Sequence, residues 1–388
     1  MAQSRNLSGC QFFHVENLPP GWDCVPLKER LELLYGRALR EEDRRPGEVD
    51  VFGSNGKVGT HNSQWLEAPG ILVGRKGTVG AVHYASRAFW PIDTVYYVKP
   101  IAEDRLQYLY YLLNYLPLAF LNAATGVPGL SRRDAYALRG AFPPPNEQAA
   151  IACILDAVDT VIERTREAVE RAATLRTSLL ADVFQRMEAK PIRIGEFATD
   201  VRYGTSQASS GRGWGNPVLR IPNVIGNELK LDDLAYVDLR PVDVDRLLLR
   251  DGDLLLVRTN GNPSYVGRSV VFRRPDEREW VYASYLIRVR LNEKLLPDYV
   301  NVFLEIERGR REILQRVTTS AGNYNINSNS IRLISIPMPK KKEEQEQVIE
   351  IAQKCRMHMT ALKKKLSALL ELKKSLMHDL LTGKVRVG

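Results

Sequence analysis

Two stretches of this chain spell the same succession of elements, and that duplication constrains the fold more than any bulk property does. From Leu66 the sequence reads LEAPGILVGRKGTVGAVHY, and from Leu248 it reads LLRDGDLLLVRTNGNPSYVGRSVVF. Each has a turn, an apolar strand (residues 71–73 and 254–257), an arginine (Arg75, Arg258), a glycine-rich turn and a second apolar strand. Further on, ATGVPGLSRRDAYALRGAFPPPNEQAAI answers SAGNYNINSNSIRLISIPMPKKKEEQEQVI. Gly126 then corresponds to Gly322, Leu130 to Ile326, the proline-rich run 143–145 to 337–339, and Glu147-Gln148 to Glu344-Gln345. Landmarks that recur in one order, roughly 180 to 200 residues apart, mark two copies of one frame.

A long helical stretch follows each proline-rich run. Ile151, Ile154, Val158, Val161, Thr165, Ala168, Ala172, Leu175 and Leu179 alternate spacings of three and four, the seam of a coiled coil. Val348, Ala352, Cys355, Met359, Leu362, Leu366 and Leu369 do the same, with a phase shift before Leu372, Leu376 and Leu380. No Pro or Gly interrupts either stretch before Lys190-Pro191 and Gly383, so the pattern predicts two unbroken helices of about ten turns. An apolar stripe needs a partner helix. Antiparallel pairing within the chain is favoured over pairing with a second molecule, because one such helix closes each repeat. At about 1.5 Å per residue, Ile151 to Leu179 spans roughly 42 Å, or about 12 base pairs of duplex. This length suits a spacer between two recognition sites.

The expected domains are 1–142 and 190–338, each a compact α+β core with exposed loops, and the expected helices are 143–189 and 339–388. The formal charge of +9 suits a polyanionic partner. In the second domain, Arg202, Tyr203, Ser206, Gln207, Arg220, Arg258, Asn260, Asn262, Asn323, Tyr324 and Asn325 set guanidinium, amide and aromatic groups around glycines. Those are the groups that pair with guanine and adenine edges or hold phosphates, though Asn and Gly also cap turns without any ligand. In the first domain the candidates are Lys57, Arg75, Lys76, Arg132 and Arg133. The frame repeats and the loops do not, as expected if each domain reads a different short sequence.

Signs of catalysis are missing. GRKGTVG and GSNGKVG lack the phosphate-loop spacing, and GxGxxG does not occur. Pro275-Asp276-Glu277 is a faint echo of a nuclease carboxylate set and reads better as a surface turn. Five histidines and four cysteines form no zinc or catalytic spacing, and Cys153 and Cys355 read as small buried hydrophobes of the helices. With no signal pattern and no apolar run near the roughly 20 residues of a membrane span, a cytoplasmic location is expected.

Taken together, GNPVLRIPNVIGNELKLDDLAYVD from Gly215, GDLLLVRTNG from Gly252, PPPNEQAAI, PKKKEEQEQVI and the closing KKSLMHDLLTGKVRV resemble the specificity subunit of type I restriction-modification systems. The resemblance covers nearly the whole chain. It implies an α+β fold of two target-recognition domains, in a pseudo-two-fold arrangement, joined by two long antiparallel coiled-coil helices. It also implies a non-catalytic chain that reads a bipartite, asymmetric double-stranded DNA site and measures the gap with its helices. Two modification subunits carrying S-adenosylmethionine would methylate adenine, and added restriction subunits would use ATP and magnesium; no cofactor would bind this chain and no membrane is involved. The first domain departs from the pattern, since it shows no obvious counterpart of the stretch 215–237. The alternative is a coiled-coil adaptor that binds protein partners, and a stand-alone nuclease ranks third.

Overall fold

The computed structural model describes residues 18–121, 129–211, 213–224, 228–320 and 322–387; Cys10, His14 and the repeat landmark Gly126 lie outside them. The chain divides into two compact units, Met1–Arg166 with Lys364–Gly388, and Glu167–Lys363.

In the first unit, β1 (Asp23–Pro26) leads to β2 (Leu31–Tyr35), the hairpin β3 (Val49–Gly53) and β4 (Gly56–His61), then β5 (Gly70–Gly74), β6 (Val82–Ala85), β7 (Phe89–Pro91) and β8 (Val95–Pro100). Helix α1 (Leu106–Tyr115), α2 (Arg132–Ala137) and β9 (Arg139–Phe142) follow, and then the long α3 (Pro145–Arg186). An antiparallel sheet runs β2-β8-β5-β6, a smaller one runs β4-β3-β7 with β3 and β7 parallel, and β1 pairs with β9. Strand side chains alternate between faces. Ile71 and Val73 therefore join Tyr108, Leu109, Leu112 and Leu113 of α1 in one core, whereas Leu72 joins Phe52, Phe89 and Val95 on the other face. Both faces are covered, which is why β5 reads as a solid apolar run.

The second unit opens with β10 (Ala189–Arg193), β11 (Ala198–Tyr203), β12 (Asn216–Leu219), α4 (Ile221–Val224), β13 (Ala235–Val237) and α5 (Pro241–Leu247). It continues with β14 (Leu254–Val257), β15 (Thr259–Asn260), β16 (Ser269–Val271), β17 (Val281–Tyr282) and β18 (Leu286–Leu291). Helices α6 (Pro297–Glu305) and α7 (Glu307–Leu314), strands β19 (Thr318–Ser320) and β20 (Asn323–Asn325), α8 (Ser328–Arg332), β21 (Ser335–Pro339) and the long α9 (Lys342–Leu381) complete it. The sheets are β11-β18-β14-β16, β13-β12-β17 and β10-β21, the same pairings in the same order as in the first unit. A small sheet, β15-β20-β19, stands in addition.

The structure therefore corrects the view that the first repeat lacks a counterpart of 215–237. β3 and β4 take the places of β12 and β13, down to the parallel partner strand. A tight turn at Ser54-Asn55 replaces the connection through α4, and that difference in length hides the match in the sequence. Between α6 and α7 the helical run is broken at Ile306 (φ −77°, ψ 161°). There the backbone folds back so closely that a Cβ on Gly309 would lie 2.0 Å from the Phe303 carbonyl oxygen.

The repeated Glu-Gln has a structural reason. Gln148 and Gln345 each sit in the first turn of a long helix and are both 1% exposed. Gln148 Oε1 accepts from the Arg105 backbone N–H at 2.8 Å, just ahead of α1, and its Nε2 donates to the Pro143 carbonyl at 2.9 Å and to Asp104 at 2.7 Å. Gln345 repeats this ahead of α6, accepting from Leu296 N–H at 2.9 Å and donating to the Lys294 carbonyl at 2.9 Å. Each amide thus joins the long helix to the helix of its own domain.

In the first unit the start of α3 meets the end of α9, with Ile151, Leu155, Leu380 and Leu381 in one core; in the second, Leu180 and Phe184 of α3 meet Val348 and Ala352 of α9. The long helices are thus antiparallel. Charged groups add to this packing. Tyr111 donates to Asp156 at 2.6 Å and to Asp159 at 3.0 Å, and Lys373 of α9 pairs with Asp159 at 2.6 Å. Burial and the two aspartates hold the Tyr111 phenol well above the usual tyrosine range. In the second unit the acid lies on α6, where Glu305 binds Arg176 of α3 and Arg356 of α9.

Among the seam residues, Ile151 and Val348 are buried, and Ile154, Val158, Cys355, Met359, Leu362, Leu366 and Leu369 are half-buried. Val161, Leu175 and Leu179 are 40%, 65% and 37% exposed; Ile162 and Leu180, one position on from Val161 and Leu179, are buried, as is Phe184 a turn further along. Counting strict heptads falls behind the 3.6-residue turn of a helix, so the true stripe moves ahead by one position. Cys153 is exposed rather than buried, for it lies on the outer side of α3.

Two outcomes follow from these contacts. Gln148→Ala or Gln345→Ala strands buried backbone groups and lowers stability by about 1–3 kcal/mol, read from urea denaturation. Glu147 accepts two bonds from Arg386 and one from the Trp22 indole, and the Arg386 guanidinium holds its carboxyl below the usual value of 4.5. A depressed folded pKa gives stability that is present above the unfolded value and lost as pH falls through the folded one. The melting temperature of the wild type therefore falls more steeply below about pH 4.5 than that of Glu147→Gln.

Candidate nucleic-acid interface

The repeated arginine sits where β5 and β14 end. Arg75 N–H donates to the Thr94 carbonyl at 2.9 Å and its own carbonyl accepts from Leu130 N–H at 2.8 Å; Arg258 does the same with Tyr285 at 2.8 Å and Ile326 at 2.9 Å. The matched pairs Arg75/Arg258 and Leu130/Ile326 occupy equivalent places. The side chains match too. Arg75 Nη1 donates to the Asp93 carbonyl at 2.8 Å with its guanidinium 4.8 Å from the Tyr35 ring centre, and Arg258 Nη1 donates to the Ser284 carbonyl at 3.3 Å with its guanidinium 4.6 Å from the Tyr203 ring.

Tyr35 was not among the sequence candidates, yet a signal was present: Tyr35-Gly36 repeats Tyr203-Gly204. The glycine is required because a Cβ would lie 2.0 Å from the Ile92 carbonyl oxygen in one unit and 2.1 Å from that of Tyr282 in the other. That close crossing delivers the tyrosine to the arginine. In the first unit Arg132 also stands over Tyr35, at 4.6 Å, and Lys76 bridges to Gly129. Tyr35 is 47% exposed, so this cationic face is open to a ligand.

Ion pairing sorts the remaining candidates. Lys57 pairs with Asp50 at 2.5 Å, Arg202 with Asp200 at 3.4 Å and Arg220 with Asp233 at 2.9 Å. Among the described residues, Arg75, Lys76, Arg132, Arg133 and Arg258 have no carboxylate within ion-pair distance, and an unpaired cation at a surface is free to hold an anion. Arg133 is exposed on α2.

Around Arg258 the fold gathers Tyr203, Asn260, Asn262, Asn323, Tyr324 and Asn325, since β15 pairs with β20 through Thr259–Asn325 and Asn260–Tyr324. Asn260 Oδ1 accepts from Asn262 N–H and Asn262 Oδ1 from Ser264 N–H, each at 2.9 Å. These oxygens shape the loop. Ser206 is exposed, and Gln207 turns back to the Asp238 carbonyl, away from this cluster.

Asp276 is held well below the usual carboxylate range by hydrogen bonds from Arg278, and it also accepts from the Trp280 indole at 2.9 Å. It closes a turn. Among the described residues no group of His, Cys, Asp or Glu is placed to hold a metal ion, and no helix is long and apolar enough to cross a membrane.

Residues 19–171 match the family described as the type I restriction modification DNA specificity domain. The chain is 27% identical over 203 residues to the type I restriction enzyme EcoKI specificity subunit of Escherichia coli strain K12, a match covering 48% of this chain and 44% of that protein. It is 24% identical over 182 residues to the StySPI specificity subunit of Salmonella potsdam, covering 45% and 38%. Each match spans less than half of the relative's own length. Among solved structures, the S subunit of a type I restriction-modification system from M. genitalium superimposes with a TM-score of 0.63 at 19% identity, over 94% of this chain and 96% of that one. A chain from a study of assembly and conformational transition of the type I system gives 0.61 at 16%, over 95% and 99%. At these identities the likeness is one of fold.

Arg258→Lys keeps the charge and loses the flat fork that stacks on Tyr203. Gel shifts with duplex DNA should show affinity reduced on the order of tenfold, the effect of one lost bidentate contact; unchanged affinity removes Arg258 from the interface.

Proposed function

We propose that the chain is a specificity subunit of the type I restriction-modification kind, as the match of residues 19–171 to that family and the likeness to two such subunits support, and that it reads a bipartite, asymmetric site on double-stranded DNA, one half with each unit, and directs methylation and restriction carried out by other subunits. The observation that carries this reading is one frame built twice, with the same arginine–tyrosine stack at the same strand end and unlike loops around it. Identical frames give identical docking, and unlike loops give two different half-sites.

The chain itself performs no reaction. Two modification subunits supply S-adenosylmethionine and methylate adenine, and restriction subunits supply the ATP- and magnesium-dependent steps. The long helices α3 and α9, of 42 and 40 residues, set the gap between half-sites. A continuous helix rises about 1.5 Å per residue, so the length it imposes does not drift.

The test is to map adenine methylation in cells that express the modification subunits with and without this chain. The expected motif has two short specified parts around an unspecified gap, and it disappears without the chain. Inserting seven residues into both helices adds about 10 Å, or about three base pairs, to the gap and leaves the half-sites unchanged. A single contiguous motif, or a gap that ignores the insertion, overturns the reading.

A further inference from the structure

The loop that carries Asn260 and Asn262 ends at a second cationic feature. Between this loop, β16, α6 and α7 lies a cavity of about 250 Å³ whose lining includes Ser264, Arg268, Ser269, Glu305, Arg310 and Leu314. Arg268 Nε and Arg310 Nη2 both donate to the Ser264 carbonyl, at 3.1 and 3.2 Å, so two guanidinium groups converge on one neutral oxygen. Arg310 Nη2 also donates to the Val266 carbonyl at 2.8 Å, and its Nη1 is buried with no hydrogen-bond partner among the described residues.

The one carboxylate in the lining does not neutralise them. Glu305 is occupied by Arg176 and Arg356 and accepts from Asn301 at 3.3 Å. Arg268 and Arg310 themselves have no carboxylate within ion-pair distance among the described residues. Burial, together with the charge of Arg268, disfavours the ionised form of Arg310, as expected where like charges face each other without a counter-charge. The frame does not need this arrangement: where Arg268 accepts from the end of β14, Ala81 accepts from the end of β5 in the first unit.

We propose that this cavity seats a backbone phosphate of duplex DNA, with Arg268 and Arg310 as its two cationic donors. Forked guanidinium groups match phosphate oxygens, and a duplex that meets Asn260 and Asn262 passes its backbone beside the same loop. The inference rests on the DNA-reading function proposed above. Arg268 and Arg310 act here as sequence-independent anchors for the unit, distinct from the base-reading amides.

The test uses the full chain and a fluorescein-labelled duplex of mixed sequence, with affinity measured by anisotropy between about 50 and 200 mM KCl. Arg268→Ala and Arg310→Gln should each lower the slope of log affinity against log salt by about one, and Arg268→Lys should restore it. Arg310 also holds two backbone carbonyls, so if Arg310→Gln unfolds, the Arg268 pair of variants decides. A wild-type chain that binds the duplex, with Arg268→Ala on the same line, overturns the phosphate seat and leaves the recognition reading standing. A wild-type chain that does not bind the duplex overturns both. Inorganic phosphate that raises the melting temperature of the wild type but not of Arg268→Ala, while the DNA slope is unchanged, identifies a free-anion site and likewise overturns the proposal.

Discussion

The fold depends on a buried amide at the foot of each long helix. Gln148 and Gln345 satisfy a backbone N–H just ahead of α1 and α6, and each returns a bond to a neighbouring carbonyl. A buried N–H without a partner is costly, so the amide and the helix it serves come as a set. Each long helix is fixed to its domain at its first turn, where the proline-rich segments 143–145, just after β9, and 337–339, at the end of β21, hand the chain over.

Covering both faces of the main sheet has a second consequence. With α1 or α6 on one side and a small sheet on the other, strand side chains are committed to cores, and only strand ends and connections remain to differ between the units. The arginines at the ends of β5 and β14 stand at that border. Their backbone atoms belong to the frame, and their guanidinium groups lie on tyrosines at the surface. A fixed charge on a rigid strand end, ringed by loops that differ between the units, is common to both copies of the frame.

Electrostatics in this chain divides into charges that build and charges that remain available. Asp159, bound by Tyr111 of α1 and Lys373 of α9, and Glu305, bound by Arg176 and Arg356, tie domain to long helix, with the acid on α3 in one unit and on α6 in the other. The swap shows that the neutralised cluster matters more than which element bears which sign. Lys57, Arg202 and Arg220 are likewise paired, whereas the cations beside Tyr35 and Tyr203 are not.

Local pattern sufficed for the duplication, the apolar strands β5 and β14 and the unbroken course of α3 and α9, because alternation, uninterrupted periodicity and the placement of proline and glycine are properties of neighbouring residues. It misplaced Val161, Leu175 and Leu179 on the helix seam, since a small error per turn accumulates along a long helix and only a packed partner fixes the phase. It passed over β3 and β4, whose connection differs in length from their counterparts, and the break at Ile306, where the chain turns so sharply that Gly309 lies against the Phe303 carbonyl. The sequence by itself determined that the chain carries two copies of one frame and an excess of positive charge. Only the tertiary structure decided which cations keep that charge available, because neutralisation acts over a few ångströms and nearness along the chain does not say which acid comes that close: Asp50 reaches Lys57, Asp200 reaches Arg202 and Asp233 reaches Arg220, while Arg75, Arg132 and Arg258 meet no carboxylate among the described residues.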